Sequence, residues 1–287
     1  MGRLTTSDGR TLAYARTGSG PVLVCHPGGP GMSSLYLGDL GGLDRECELV
    51  LLDPRGTGNS SRPEDIRAYA TEEYVADLEG LRAHLGLERL NLLGHSHGGV
   101  VAAAYAAAHP ERVERLVLAS SLARFSPDQE AAMQRWLESR AAEPWYEDAR
   151  AALEAEESGE FTTDEEMAEL VWREFPFYFA VYGDRERAYV ESLRAETPNA
   201  AALRFFNAEL FSTFDLRSQL PRITAPTLVV TGEQDFITGP PSAADFAAGI
   251  AHAETVLIPG AGHFVFVEDP DAFREAVLAF LATRAPA

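Results

Sequence analysis

The chain carries only two cysteines, Cys25 and Cys47, too few for a disulfide framework. Cys25 ends the apolar run 22–25 and reads as a buried free thiol. Basic residues are also scarce, 24 Lys+Arg against 44 Asp+Glu for a formal net charge of −20. That balance argues against nucleic acid or an anionic membrane as a partner. There is no apolar run of transmembrane length, and no basic N-terminal segment followed by an apolar stretch, so a soluble, cytoplasmic protein is expected. What remains is ample: 287 residues, 46% of them apolar, can bury a full core as one large domain or as a core with an insertion. The acidic residues crowd into 138–174, which reads largely as a solvated helical face whose field favours cationic ligands.

Residues 3–6 and 11–16 flank the turn signal Ser7-Asp8-Gly9-Arg10 and predict a hairpin. Apolar strand candidates follow at 22–25, 49–52, 90–93, 115–119, 227–231 and 255–258. Helical patterns at 71–85, 98–108, 242–251 and 271–283 alternate with them. Strands that are apolar throughout, interleaved with helices, imply an α/β architecture: a mostly parallel sheet covered on both faces, with the hairpin antiparallel at one edge. The alternation fails between about 122 and 220, where charged and apolar residues recur at helical spacing (Trp136, Leu137, Met167, Leu170, Val171). The expected division is a core of 1–121 and 221–287 and an inserted helical cap of 122–220. The aromatic cluster Phe175-Pro176-Phe177-Tyr178-Phe179 is expected to form the cap's own core and, in part, to line whatever lies beneath it.

Gly94-His95-Ser96-His97-Gly98 stands between an apolar strand and a run of small residues. This is the G-x-S-x-G pattern in a strand-turn-helix context, where the serine sits on a sharp turn with its hydroxyl exposed. Such a serine needs a base, an orienting carboxylate and oxyanion donors, all expected just past strand ends. His263 follows the last strand through Pro259-Gly260-Ala261-Gly262. Asp235 follows 227–231, with Glu233 two residues earlier as the competing acid. The order Ser96, Asp235, His263 suits this architecture. Oxyanion donors are expected from the amides of His97, at a helix N-terminus, and of Gly29, in the loop His26-Pro27-Gly28-Gly29-Pro30-Gly31. A metal held by His26, His95 and His97 is disfavoured, because the elbow turn points the neighbours of Ser96 apart and no carboxylate follows at ligand spacing. Asp53 and Arg55, in Asp53-Pro54-Arg55-Gly56-Thr57-Gly58-Asn59-Ser60, read as loop architecture.

With these motifs in order, the chain resembles the α/β-hydrolase superfamily, and more narrowly the proline iminopeptidase (prolyl aminopeptidase) family of serine peptidases. The narrower resemblance rests on Gly28-Gly29-Pro30-Gly31-Met32-Ser33, on the 53–60 loop and on the helical cap. It departs at Pro27, where that family usually has histidine, and at His97, where Trp or Tyr is common. The resemblance implies an α/β-hydrolase fold and a Ser96–Asp235–His263 triad without metal or cofactor. It also implies a small-molecule or short-peptide substrate with a free amine, cut after an N-terminal proline or small residue through an acyl-enzyme. It assigns substrate contact to Gly28, to Phe236 (where some relatives carry a glutamate) and to Glu209, whose carboxylate would receive the substrate ammonium. The phenylalanine leaves room for a hydrophobic small-molecule amide, and a carboxylesterase with the same triad is the alternative. A non-catalytic binding protein on the same scaffold would have no need of all three groups.

Overall fold

The computed structural model describes residues 1–211 and 213–283. The hairpin forms as expected: β1 (Gly2–Thr5) pairs antiparallel with β2 (Thr11–Gly18), and β2 pairs antiparallel with β4 (Glu48–Asp53). The remaining strands, β3 (Val22–His26), β5 (Leu90–His95), β6 (Val113–Ala119), β7 (Thr227–Gly232) and β8 (Ala253–Ile258), run parallel with β4. The eight-stranded order is β1-β2-β4-β3-β5-β6-β7-β8. The order reverses around β3, so the carboxyl ends of β3 and β5 border a crevice where ligands bind in open α/β sheets.

One apolar cluster packs helices α1 (Thr71–His84), α2 (His97–Ala108) and α8 (Gly239–Gly249) against one face of the sheet. A second cluster packs α9 (Val265–Glu268) and α10 (Pro270–Ala282) against the other. Helix α2 is buried from His97 to Ala107, which explains its run of Gly, Ala and Val: larger side chains would hold it off the sheet. Helix α8 begins three residues before the expected 242, because Pro240 and Pro241 are preorganised for a first turn and lose nothing by lacking an N–H there.

Residues 122–220 add no strand to the sheet among those described. They form α3 (Pro127–Ser139), α4 (Tyr146–Glu157), α5 (Asp164–Glu174), α6 (Asp184–Leu193) and α7 (Ala200–Phe205), the last running into a π-helical turn, Phe206–Leu210. Reciprocal capping boxes, Ser126 with Gln129 and Thr163 with Glu166, start α3 and α5. A small core of Met133, Leu137, Ala149, Leu153, Phe177 and Phe236 sits between these helices and the loop after β7. Among the described residues, no helix is long and apolar enough to cross a membrane.

Candidate active site

Ser96 joins β5 to α2 with φ 55° and ψ −126°, a left-handed conformation that a non-glycine residue holds only when its surroundings enforce it. The enforcement is steric. A Cβ on Gly94 would lie 2.2 Å from the Gly98 carbonyl oxygen, and one on Gly98 would lie 2.2 Å from that of His26. The flanking histidines diverge. His95 faces Tyr36 and His263, whereas His97 faces Tyr74 and Phe206. Burial pushes His95 and His97 down to about 3 and His26 to about 4, so all three are neutral at physiological pH.

Asp235 and His263 meet from separate strand ends, with His263 Nδ1 3.0 Å from Asp235 Oδ2 and both side chains buried. Asp235 Oδ1 accepts the amides of Ile237 (3.1 Å) and Thr238 (3.0 Å), while Oδ2 also takes the hydroxyls of Thr231 and Thr238. Burial opposes its charge, but His263 and these donors outweigh that and hold the carboxyl well below its usual range. Glu233, the competing acid, is exposed. Ser96 and His263 line one cavity, and no hydrogen bond joins them directly.

The loop after β3 arches over Ser96. A Cβ on Gly28 would fall 2.6 Å from Ser96 Cβ, so this position tolerates only glycine. Gly29 (φ 110°) lines the cavity. The N–H groups of Gly29 and His97 have no acceptor among the described residues, whereas that of Gly28 donates to Tyr36 Oη at 2.6 Å. The amides of Gly29 and His97 are thus left without an acceptor, while that of Gly28 is tied to Tyr36. Tyr36 Oη lies 2.8 Å from His95 Nδ1, and His95 Nε2 lies 3.1 Å from the His263 carbonyl oxygen. Since His95 is neutral and Nε2 must donate to that carbonyl, Nδ1 accepts from Tyr36, and every proton in the chain is assigned. This relay from the Gly28 loop to the His263 loop left no sequence signal beyond the histidine before Ser96.

Asp53 accepts from the amide and hydroxyl of Ser34 and from the Asn59 amide. Arg55 is fully buried and pairs instead with Asp77 on α1, two bonds of 2.7 Å, and with Glu73. Both residues brace loops, although they do not pair with each other.

Residues of the helical segment 122–220 reach the site. Tyr178 accepts the His263 amide through its carbonyl oxygen at 2.8 Å, and Glu268 gathers the amides of Ala180 and Gly262. Glu209 is a correction. It lies exposed on the π-helical turn and lines none of the cavities at the site. Asn207 of the same segment faces inward, and side chains two residues apart on a helix point roughly half a turn away from each other.

The carboxylates over Ser96 are Glu156 at the end of α4 and Glu174 at the end of α5, 8% and 3% exposed. Burial, reinforced by Glu157, raises Glu156 to about 7, and burial plus the neighbouring Glu156 raises Glu174. Glu174 Oε2 is buried without a hydrogen-bond partner, and its other oxygen meets only the Tyr178 hydroxyl at 3.4 Å. Both belong to the acidic run expected to be solvated. Their signal was position rather than type. Glu156 continues the buried stripe Ala149, Ala152, Leu153 at helical spacing, and Glu174 continues Met167, Val171.

A family model described as the alpha/beta hydrolase fold matches residues 21–270. The chain belongs to the α/β-hydrolase family. Within it, this hydrolase is 28% identical to a proline iminopeptidase of Levilactobacillus brevis, covering 95% of this chain and 92% of that one. It is 31% identical to the proline iminopeptidase PfmaB of Pestalotiopsis fici, with 92% and 93% covered. Among solved structures, the enol-lactonase of Burkholderia xenovorans LB400 superposes with a TM-score of 0.75 at 25% identity, covering 98% of this chain and all of that one.

Proposed function

We propose that this hydrolase cleaves an N-terminal aminoacyl amide, of proline or a small residue, through an acyl-enzyme. Ser96 Oγ attacks the carbonyl carbon while His263 takes its proton; Asp235 fixes the imidazole tautomer and stabilises the imidazolium. The amides of Gly29 and His97 receive the oxyanion. His263 then protonates the departing amine, and a water activated by the same imidazole releases the amino acid. A substrate of this kind suits a cytoplasmic enzyme working without metal or cofactor.

One observation carries the amine half of this reading: Glu156 and Glu174 are the carboxylates on the wall above Ser96, and Glu174 holds a buried oxygen with no partner. Buried acids without a cation stay largely protonated, and an entering ammonium draws them into the charged form, giving a charge-assisted bond inside a low-dielectric cavity. The proline iminopeptidase relatives support the same choice, and Phe236, packed on Tyr178 with ring centroids 4.9 Å apart, makes the adjoining wall apolar. The cavity at Ser96, about 90 Å³, suits a small acyl part.

The lactonase likeness supports a second reading, an esterase with the same triad. Proline p-nitroanilide, N-acetylproline p-nitroanilide and p-nitrophenyl acetate separate the two. An aminopeptidase cleaves the first and loses activity when the amine is blocked. Rapid ester hydrolysis with no turnover of any free-amine amide overturns the aminopeptidase reading in favour of the esterase.

A further inference from the structure

A second chamber of about 370 Å³ adjoins the cavity at Ser96. The two share Gly29, Pro30, Glu156, Tyr178, Leu203 and Ile237, so a substrate with its carbonyl at the Gly29 amide passes from one into the other. Ser96 and His263 line the small cavity alone. The acyl part therefore fills the small cavity, and whatever leaves with the amine lies in the large one.

The walls of the large chamber are rings. Phe125, Phe206, Phe211 and Phe236 line it, with Phe125 and Phe211 4.7 Å apart between centroids. Its polar edge carries Glu130 and Glu157. Among the described residues that line it there is no Arg or His, and the sequence contains no lysine to reach in from elsewhere. Arg150, whose charge acts on Glu157, is held by Glu154 at 2.6 Å and does not line the chamber. A dipeptide would bring a carboxylate within one residue of the scissile nitrogen, and a short peptide would bring one into the chamber, beside Glu156 and Glu157 and with no cation to receive it; an unpaired charge there is strongly disfavoured. Aromatic walls suit a flat ring, which stacks or meets them edge-on.

We propose that this chamber is the leaving-group site and that it selects an aromatic amine lacking a carboxylate, making the natural substrate an aminoacyl arylamide rather than a peptide with a free C-terminus. The proposal rests on the acyl-enzyme reading. When the C–N bond breaks, the proton on His263 goes to the departing nitrogen, and the arylamine leaves neutral, as the chamber requires.

Binding tests the chamber independently of turnover. The intact protein is titrated calorimetrically with 2-naphthylamine and with 2-naphthoate, which share a ring and differ in charge. The amine should bind at least tenfold more tightly. Phe211→Ala, and separately Met133→Trp, which fills the chamber, should each weaken the amine several-fold. Glu130→Gln with Glu157→Gln should narrow the gap to the naphthoate. Equal affinity for the two probes, or indifference to both Phe211→Ala and Met133→Trp, overturns the proposal even if aminoacyl amides are cleaved. Kinetics then test the preference: proline 2-naphthylamide should exceed the dipeptide Pro-Phe tenfold or more in kcat/KM, and comparable values would overturn it. A protein that binds the arylamine selectively but cleaves no free-amine amide would keep the chamber and lose only the aminopeptidase reading.

Discussion

The site has two walls, and they are satisfied to different degrees. On the sheet side, Asp235 takes four donors besides His263, and the chain from Gly28 through Tyr36 to the His263 carbonyl engages both ring nitrogens of His95. On the cap side, Glu156 and Glu174 crowd each other in a buried pocket, and Glu174 holds an oxygen with no partner. Complete networks hold a geometry rigid; incomplete ones cost free energy until a ligand completes them. On the proposed mechanism, the sheet side would break the bond and the helical segment above it would choose the substrate.

The sheet wall gives the largest expected effect. Ser96→Ala should lower kcat by about 10⁴–10⁶, and Asp235→Asn by about 10⁴, since the amide frees the imidazole to adopt the wrong tautomer. Single-turnover release of p-nitroaniline measures both. A Ser96→Ala protein retaining more than a few per cent of activity would end the nucleophile assignment.

Changes to the cap wall should act differently, on selectivity before rate. Glu156→Gln with Glu174→Gln should lower kcat/KM for proline p-nitroanilide by about 10², mostly through KM, consistent with the loss of charge-assisted bonds. Hydrolysis of p-nitrophenyl acetate should change little. Because Glu156 sits near 7 in the free protein, the wild type should also lose amine affinity as pH falls below neutrality, and the double variant should not. Equal losses on both substrates would place the pair in the structure rather than in recognition.

The same acids should cost stability. The folded-state value of Glu156, about 7, lies above its ordinary 4.5, so folding takes up a proton. The cost is absent below about pH 4.5, grows through that window and is complete above about 7. Glu156→Gln should therefore raise stability at pH 8 by on the order of 1–3 kcal/mol and hardly at all at pH 4. Thermal melts at the two pH values give the sign directly.

The two walls also differed in how far they could be read in advance. Ser96, Asp235 and His263 stand just past strand ends, where apolar runs stop and glycine-rich turns begin, so chain order and punctuation mark them as candidates. Gly29 followed from the same logic. The cap offered only helical periodicity, which gives a buried stripe without saying what it faces. Glu156 and Glu174 continue their stripes but were hidden by the acidic residues around them, and only packing against Ser96 gives them meaning. Glu209 lies outside the cavities for the converse reason: a motif carried over from relatives names a segment, while the π-helical turn decides which side chain faces inward. Tyr36 lies on no motif, and its hydroxyl joins two separate segments, the loop after β3 and the end of β5.

That makes Tyr36 a sharper probe of the sheet wall than the triad itself. Tyr36→Phe keeps the ring and removes one hydroxyl, leaving the Gly28 amide and His95 Nδ1 without partners. Freed groups of this kind cost about 1–3 kcal/mol. If the relay positions the oxyanion loop, kcat should fall roughly tenfold, about 1.4 kcal/mol, with KM unchanged. A loss of stability with kcat intact would make it a structural brace alone.

The smallest expected effect separates family likeness from geometry. Glu209 is where the proline iminopeptidase resemblance puts the ammonium receptor, yet it is exposed and lines no cavity at the site. An exposed carboxylate in water adds little to a buried contact, because solvent and salt screen it. Glu209→Gln should therefore change kcat/KM for proline p-nitroanilide by less than about twofold, within the range expected for a surface substitution. Measured beside the Glu156/Glu174 double variant on one substrate, it decides whether the receptor moved to α4 and α5 in this chain. A tenfold loss at Glu209 with none at the pair would mean that the cap rearranges on binding and brings the π-helical turn over Ser96.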